Sequence, residues 1–117
     1  RPYSLSPHPA GPFGRWHQGI RTVDASQDPP IITLGREPSC DLVLEDAFAS
    51  RVHCRVERRA DSIVLTDSST NGTCVRSDDG TEYLVKHMSM ILSGKGLLFF
   101  RRAFDGERRG GVRYETY

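Results

Sequence analysis

No stretch of this chain shows the 3.6-residue apolar period of a helix. Short runs alternate apolar and polar residues instead, broken by turn signals about every 8 to 12 residues, a spacing that limits the fold to packed β-strands. Arg15 to Ala25 has Trp16, Ile20 and Val23 as apolar anchors and reads as a first strand. In Ile31 to Arg36, Ile32 and Leu34 share a face, and in Asp41 to Leu44 so do Leu42 and Leu44. His53 to Arg59 places Cys54 and Val56 on one side and His53, Arg55 and Glu57 on the other, the pattern of a half-solvated strand. Ala60-Asp61-Ser62 then turns the chain into Ile63 to Thr66. Cys74-Val75 and Glu82 to Lys86 flank the turn signal Asp78-Asp79-Gly80, and Met88 to Leu92 and Leu97 to Arg102 close the series. The run Leu97-Leu98-Phe99-Phe100 is apolar on both faces, which predicts a strand near the centre of the stack. The expected fold is all-β: a two-sheet β-sandwich of about ten to eleven strands.

Six of the seven prolines precede Ile31, so residues 1–14 are expected to form an irregular arm or linker. Residues 15–104 are then the sandwich. Residues 105–117, with Gly106, Gly110 and Gly111 among scattered Arg and Glu, read as a C-terminal tail on which Tyr114 and Tyr117 could fold back. The start at Arg1 suggests a piece of something larger. A length of 117 residues is enough to bury a core without staples. Its 16 Lys+Arg against 15 Asp+Glu give a net charge of +1, too balanced for a protein that grips nucleic acid by neutralising phosphates. Three cysteines, Cys40, Cys54 and Cys74, cannot all pair with one another, and the expectation is a reduced, cytoplasmic setting. No apolar run approaches the ~18 residues of a spanning helix, and no membrane role is expected. The cysteines and His8, His17, His53 and His87 are too scattered for a zinc site, and no metal or cofactor is expected.

Three polar clusters interrupt the strands: Gly35-Arg36, Ser50-Arg51-Val52-His53, and Ser68-Ser69-Thr70-Asn71-Gly72-Thr73. Each falls where a strand gives way to a turn, so all three can meet at one end of the stack. Arginine offers a planar, permanently charged fork that matches phosphate oxygens two at a time. Serine adds a small donor, and an Asn amide both donates and accepts, so it can pair with the N–H and C=O of an extended peptide. Together they suit an oxyanion and the peptide that carries it.

In order and spacing these clusters resemble the forkhead-associated (FHA) domain, whose fold is FHA/SMAD-like. The resemblance rests on Gly35-Arg36, the run Cys40-Asp41-Leu42-Val43-Leu44, Ser50-Arg51-Val52-His53, and Asp67 to Thr73. It covers about Ile31 to Val75, and the strand pattern extends it to Arg15 through Arg102. It implies a non-catalytic signalling module that binds a phosphothreonine-containing protein or peptide on its end loops, within a Ser/Thr kinase pathway. Arg36, Ser50 and Thr70 would hold the phosphate, while Arg51 and Asn71 would hold the peptide backbone. Phe48 lies where the family often reads a residue on the C-terminal side of the phosphothreonine. Gly35, His53, Gly72 and Thr73 would be structural.

Two features depart from the family pattern. Arg76-Ser77-Asp78-Asp79-Gly80 replaces a second Asn-Gly turn, and Lys86-His87-Met88 stands where Gly-Asp is usual. The ending, with Ser93-Gly94-Lys95-Gly96 before the final strand, is similar to FHA domains attached to bacterial nucleotide cyclases. Two other readings compete. Ser50 and His53 could form the nucleophile and base of a hydrolase, although no Gly-x-Ser-x-Gly elbow accompanies them. The same fold could instead bind an unphosphorylated partner through a sheet face.

Overall fold

The structure is a computed structural model that describes residues 12–26, 29–100 and 111–117. Among the described residues, eleven strands form two sheets: β1 Gly14–Gln18, β2 Arg21–Ala25, β3 Ile31–Gly35, β4 Leu42–Val43, β5 Cys54–Arg59, β6 Ser62–Asp67, β7 Thr73–Ser77, β8 Glu82–Val85, β9 Ser89–Leu92, β10 Lys95–Phe99 and β11 Val112–Thr116. One sheet has the order β2-β1-β11-β10-β7-β8 and the other β4-β3-β5-β6-β9. The expected all-β sandwich is the fold observed.

The strands feed a core between the sheets, by alternation of buried and more open residues in β1, β5 and β11. Ile32 and Leu34 face Val56 and Cys54 across β3–β5, and Val56 faces Leu65 across β5–β6. Trp16 lies opposite Tyr114, and Leu98 opposite both Val112 and Val75. All of these side chains are buried. Every strand named pairs with its neighbours antiparallel except β3 with β4, which is parallel.

Three expectations change. The single strand Arg15 to Ala25 is a hairpin that reverses at Gly19-Ile20, with Ile20 fully exposed at its tip. A two-residue reversal preserves a period of two, so alternation could not reveal it. The tail assigned to residues 105–117 ends in β11, inserted between β1 and β10 with Val112 and Tyr114 buried. His53 is not on a solvated face but wholly buried, one residue ahead of β5. Of the expected arm, residues 1–11 lie outside the described residues. So do Arg101 and Arg102 of the expected last strand and the first part of the expected tail. Among the described residues, no helix is long and apolar enough to cross a membrane.

One row of the smaller sheet places the site. Leu34, Cys54 and Asp67 are directly opposite one another across β3, β5 and β6, and Thr66 is opposite Ser89 at the start of β9. Adjacent strands run in opposite directions. The residues that follow Leu34, precede Cys54, follow Asp67 and precede Ser89 therefore leave the sheet at the same end.

Candidate functional site

At that end Arg36, Phe48, Ser50, Arg51, Thr70 and Asn71 border one shallow depression of about 540 Å³. The first contact to form it is a close approach of two backbone segments. Gly35, just before Arg36, lies so near the carbonyl of Arg51 and the Cα of Val52 that a Cβ would overlap both. The Arg36 N–H donates to the Ser50 carbonyl at 3.1 Å and the Glu37 N–H to the Arg51 carbonyl at 2.9 Å. These bonds tie the Ser50 loop to the end of β3. Only glycine permits that approach.

The Arg36 side chain is aimed by its own Nε–H, which donates to the Ala49 carbonyl at 2.6 Å. Its two terminal nitrogens have no partner among the described residues, and Arg36 lines the depression. Ser50 Oγ accepts the Thr70 N–H at 3.1 Å, which leaves the serine proton free to donate outward. Asn71 Nδ2 donates to the Phe48 carbonyl at 3.3 Å, leaving a second N–H and the amide oxygen for a ligand. Phe48 is half exposed, its N–H held by Asp46 Oδ1 at 2.9 Å. Arg51 is exposed and reaches Glu37 at 3.3 Å, a contact that solvent keeps weak.

Beneath the depression, His53 holds two loops together. The Ser50 N–H donates to Nδ1 at 2.9 Å, so Nδ1 is unprotonated, and Nε2–H donates to the Gly72 carbonyl at 2.8 Å. The neutral ring is what burial favours: it pushes the histidine pKa below its usual value, against opposing pulls from the Gly72 carbonyl and Asp67. The ring edge packs on Phe100 at 4.8 Å between centroids. With both nitrogens committed to backbone groups, His53 has no lone pair for the Ser50 hydroxyl. The hydrolase pairing is therefore not formed.

The deciding comparison concerns the sequence: residues 32–94, more than half of the chain, match the FHA domain family. The chain belongs to the FHA domain family. A comparison with curated proteins finds no match. Among solved structures it resembles the N-terminal FHA domain of Rad53p from S. cerevisiae in complex with a phosphothreonine peptide, at 21% identity and TM-score 0.66, with 90% of this chain and 92% of that one covered. An engineered FHA with a Myc-pTBD peptide superposes at 21% identity and TM-score 0.67, covering 92% and 91%. The Rv1747 FHA-1 domain of Mycobacterium tuberculosis does so at 16% and 0.64, covering 91% and 97%.

In this FHA domain the loop after β6 is held by groups that spacing alone did not single out. Asp67 accepts the Ser69 and Thr73 hydroxyls at 2.7 and 2.8 Å on Oδ1, and the Ser69 and His87 N–H groups at 3.2 and 2.9 Å on Oδ2. Burial raises the Asp67 pKa, but these hydrogen bonds outweigh it and hold the carboxyl below its usual range. Ser69 Oγ in turn accepts the Gly72 N–H at 2.7 Å. Gly72 sits at φ 89°, which only glycine adopts without strain, and Thr73 opens β7 rather than the turn. The Asp67-x-Ser69 spacing, an Asx-type pattern, was the readable signal for this network.

Proposed function

We propose that this FHA domain binds phosphothreonine-containing peptides across the depression between the Arg36, Ser50 and Thr70-Asn71 loops. The observation that carries the reading is the convergence of the unpartnered edge of the Arg36 guanidinium with the outward Ser50 hydroxyl, beside an Asn71 amide with donor and acceptor to spare. The phosphothreonine peptide in the Rad53p complex supports it. Arg36, Ser50 and Thr70 take the phosphate, Arg51 and Asn71 the peptide backbone, and Phe48 a neighbouring apolar side chain. The module acts by binding, without chemistry of its own, in the cytoplasm downstream of a Ser/Thr kinase. The Ser93 to Gly96 segment supports attachment to a larger bacterial signalling protein of the nucleotide cyclase kind.

The test is fluorescence anisotropy against peptide pools carrying phosphothreonine, phosphoserine or unmodified threonine. A shallow, single-phosphate site predicts about micromolar affinity, near 8 kcal/mol, for phosphothreonine alone. Arg36→Ala removes two charge-assisted bonds of roughly 1.5 kcal/mol each at this exposure, so affinity falls about a hundredfold while the fold survives. Undiminished binding by that variant overturns the site. A second reading has its own observation: Tyr83, Leu84, Met88 and Ile91 are exposed on and between the edge strands β8 and β9. A partner bound there needs no phosphate, and its binding tolerates Arg36→Ala.

A further inference from the structure

Among the described residues only Ala60 and His87 combine a side chain with a positive φ, and His87, at 53°, stands at the same end of the sandwich as the depression. A residue with a Cβ avoids this conformation unless its surroundings hold it there. Two bonds do so. The His87 N–H donates to Asp67 Oδ2 at 2.9 Å, and Nε2 lies 2.7 Å from the Ser69 carbonyl, which can only accept, so Nε2 carries the proton. The side chain is otherwise exposed and adds little to the core.

The second bond lies in a particular place. Thr70 and Asn71 form a short arch between Ser69 and Gly72. The carbonyl of Gly72 is held from beneath by the buried His53 ring at 2.8 Å, and the carbonyl of Ser69 from the edge by His87. Across the arch, the Gly72 N–H closes on Ser69 Oγ. Each foot of the arch is thus fixed by one imidazole.

We propose that His87 is a positioning residue for ligand binding: its left-handed backbone aims the imidazole at the Ser69 carbonyl, and that clamp sets the height at which Thr70 and Asn71 meet the peptide. The proposal rests on the phosphothreonine reading above. It gives the Lys86-His87-Met88 segment, where the sequence departs from the family pattern, a role that Asp67 alone does not fill. A loop that populates its binding-competent arrangement only part of the time weakens the apparent affinity by that fraction.

The test uses His87→Gly, which keeps the left-handed backbone and the N–H to Asp67 but removes the ring, and His87→Gln, whose amide can donate to the same carbonyl. For His87→Gly, phosphothreonine-peptide affinity is expected to fall about fivefold, as for one lost hydrogen bond. Amide exchange at Thr70 and Gly72 should speed while exchange at Val56 and Leu65 stays unchanged, and His87→Gln should restore most of both. Wild-type affinity and unchanged exchange in His87→Gly overturn the proposal. So does exchange that rises equally at all four amides, which marks a purely structural residue. A wild-type domain that binds no phosphothreonine peptide overturns the reading on which the role depends, while Thr70 and Gly72 exchange still reports whether the clamp exists.

Discussion

Asp67 is 3% exposed and accepts four hydrogen bonds, two from hydroxyls on Oδ1 and two from backbone N–H groups on Oδ2. Asp67→Ala orphans all four donors. The Ser69 and Thr73 hydroxyls can rotate toward other acceptors, but the Ser69 and His87 N–H groups are fixed by the backbone. At about 1 to 3 kcal/mol for an unsatisfied buried donor, the Ser69 amide alone destabilises the domain by about 2 kcal/mol, and the His87 amide, on an exposed residue, turns to water at smaller cost. Asp67→Asn differs in kind. Its amide oxygen can take the Oδ2 position and accept both N–H groups, while its NH₂ takes the Oδ1 position and donates to the hydroxyls, which can accept. The charge assistance is lost, about 1 kcal/mol, and the Ser69 and Thr73 hydroxyl protons turn to other acceptors as in Asp67→Ala, while His53 at 3.8 Å is neutral and loses no ion pair. Urea unfolding at pH 7 with an unchanged m-value measures both. Equal losses for Asn and Ala, or a loss below about 1 kcal/mol for Ala, would refute the four-bond account.

The other stability predictions follow from the same atoms and from one turn. His53 has a native pKa below its ordinary value, so below about pH 6.5 the unfolded state binds a proton that the native state refuses. Stability is complete above that pH and falls on acidification toward the lowered native value, at up to about 1.4 kcal/mol per pH unit; a flat urea-derived profile from pH 7 to 5 contradicts it. The Asp67 carboxyl, also lowered, contributes stability above its unfolded value of about 4 that is lost as pH drops further through the native one. Ala60, at φ 54° between Arg59 and Ser62, carries left-handed strain of about 1 kcal/mol, part of which Ala60→Gly returns in unfolded-state entropy. A urea midpoint raised by the equivalent of about 0.5 kcal/mol is expected, and a lowered one argues that the turn is not strained.

What could be read from the amino-acid order divides along a physical line. Ile32, Leu34, Cys54 and Val56 announced their strands because one face of each is more buried than the other, and alternation records that asymmetry directly. β11 was missed because it follows Gly110, Gly111 and a scatter of charged residues, and its place between β1 and β10 depends on partners distant in sequence. The hairpin at Gly19-Ile20 was hidden because its period continues through the turn. The same division runs through the site. Arg36, Ser50, Thr70 and Asn71 are recognisable as groups that could touch an anion and a peptide, since that capacity belongs to their own chemistry. What brings them to one depression does not. The Gly35 approach, the His53 ring between Ser50 and Gly72, and the Asp67 and His87 bonds to Ser69 join segments up to 19 residues apart, through a register that sets Leu34, Cys54 and Asp67 in one row. A hydroxyl and a guanidinium on loose loops would meet a phosphate only part of the time. On the proposed reading, affinity therefore depends also on groups that never reach the ligand, the buried Asp67 carboxylate and the exposed His87 clamp, and substitutions at either should weaken binding without removing any ligand contact.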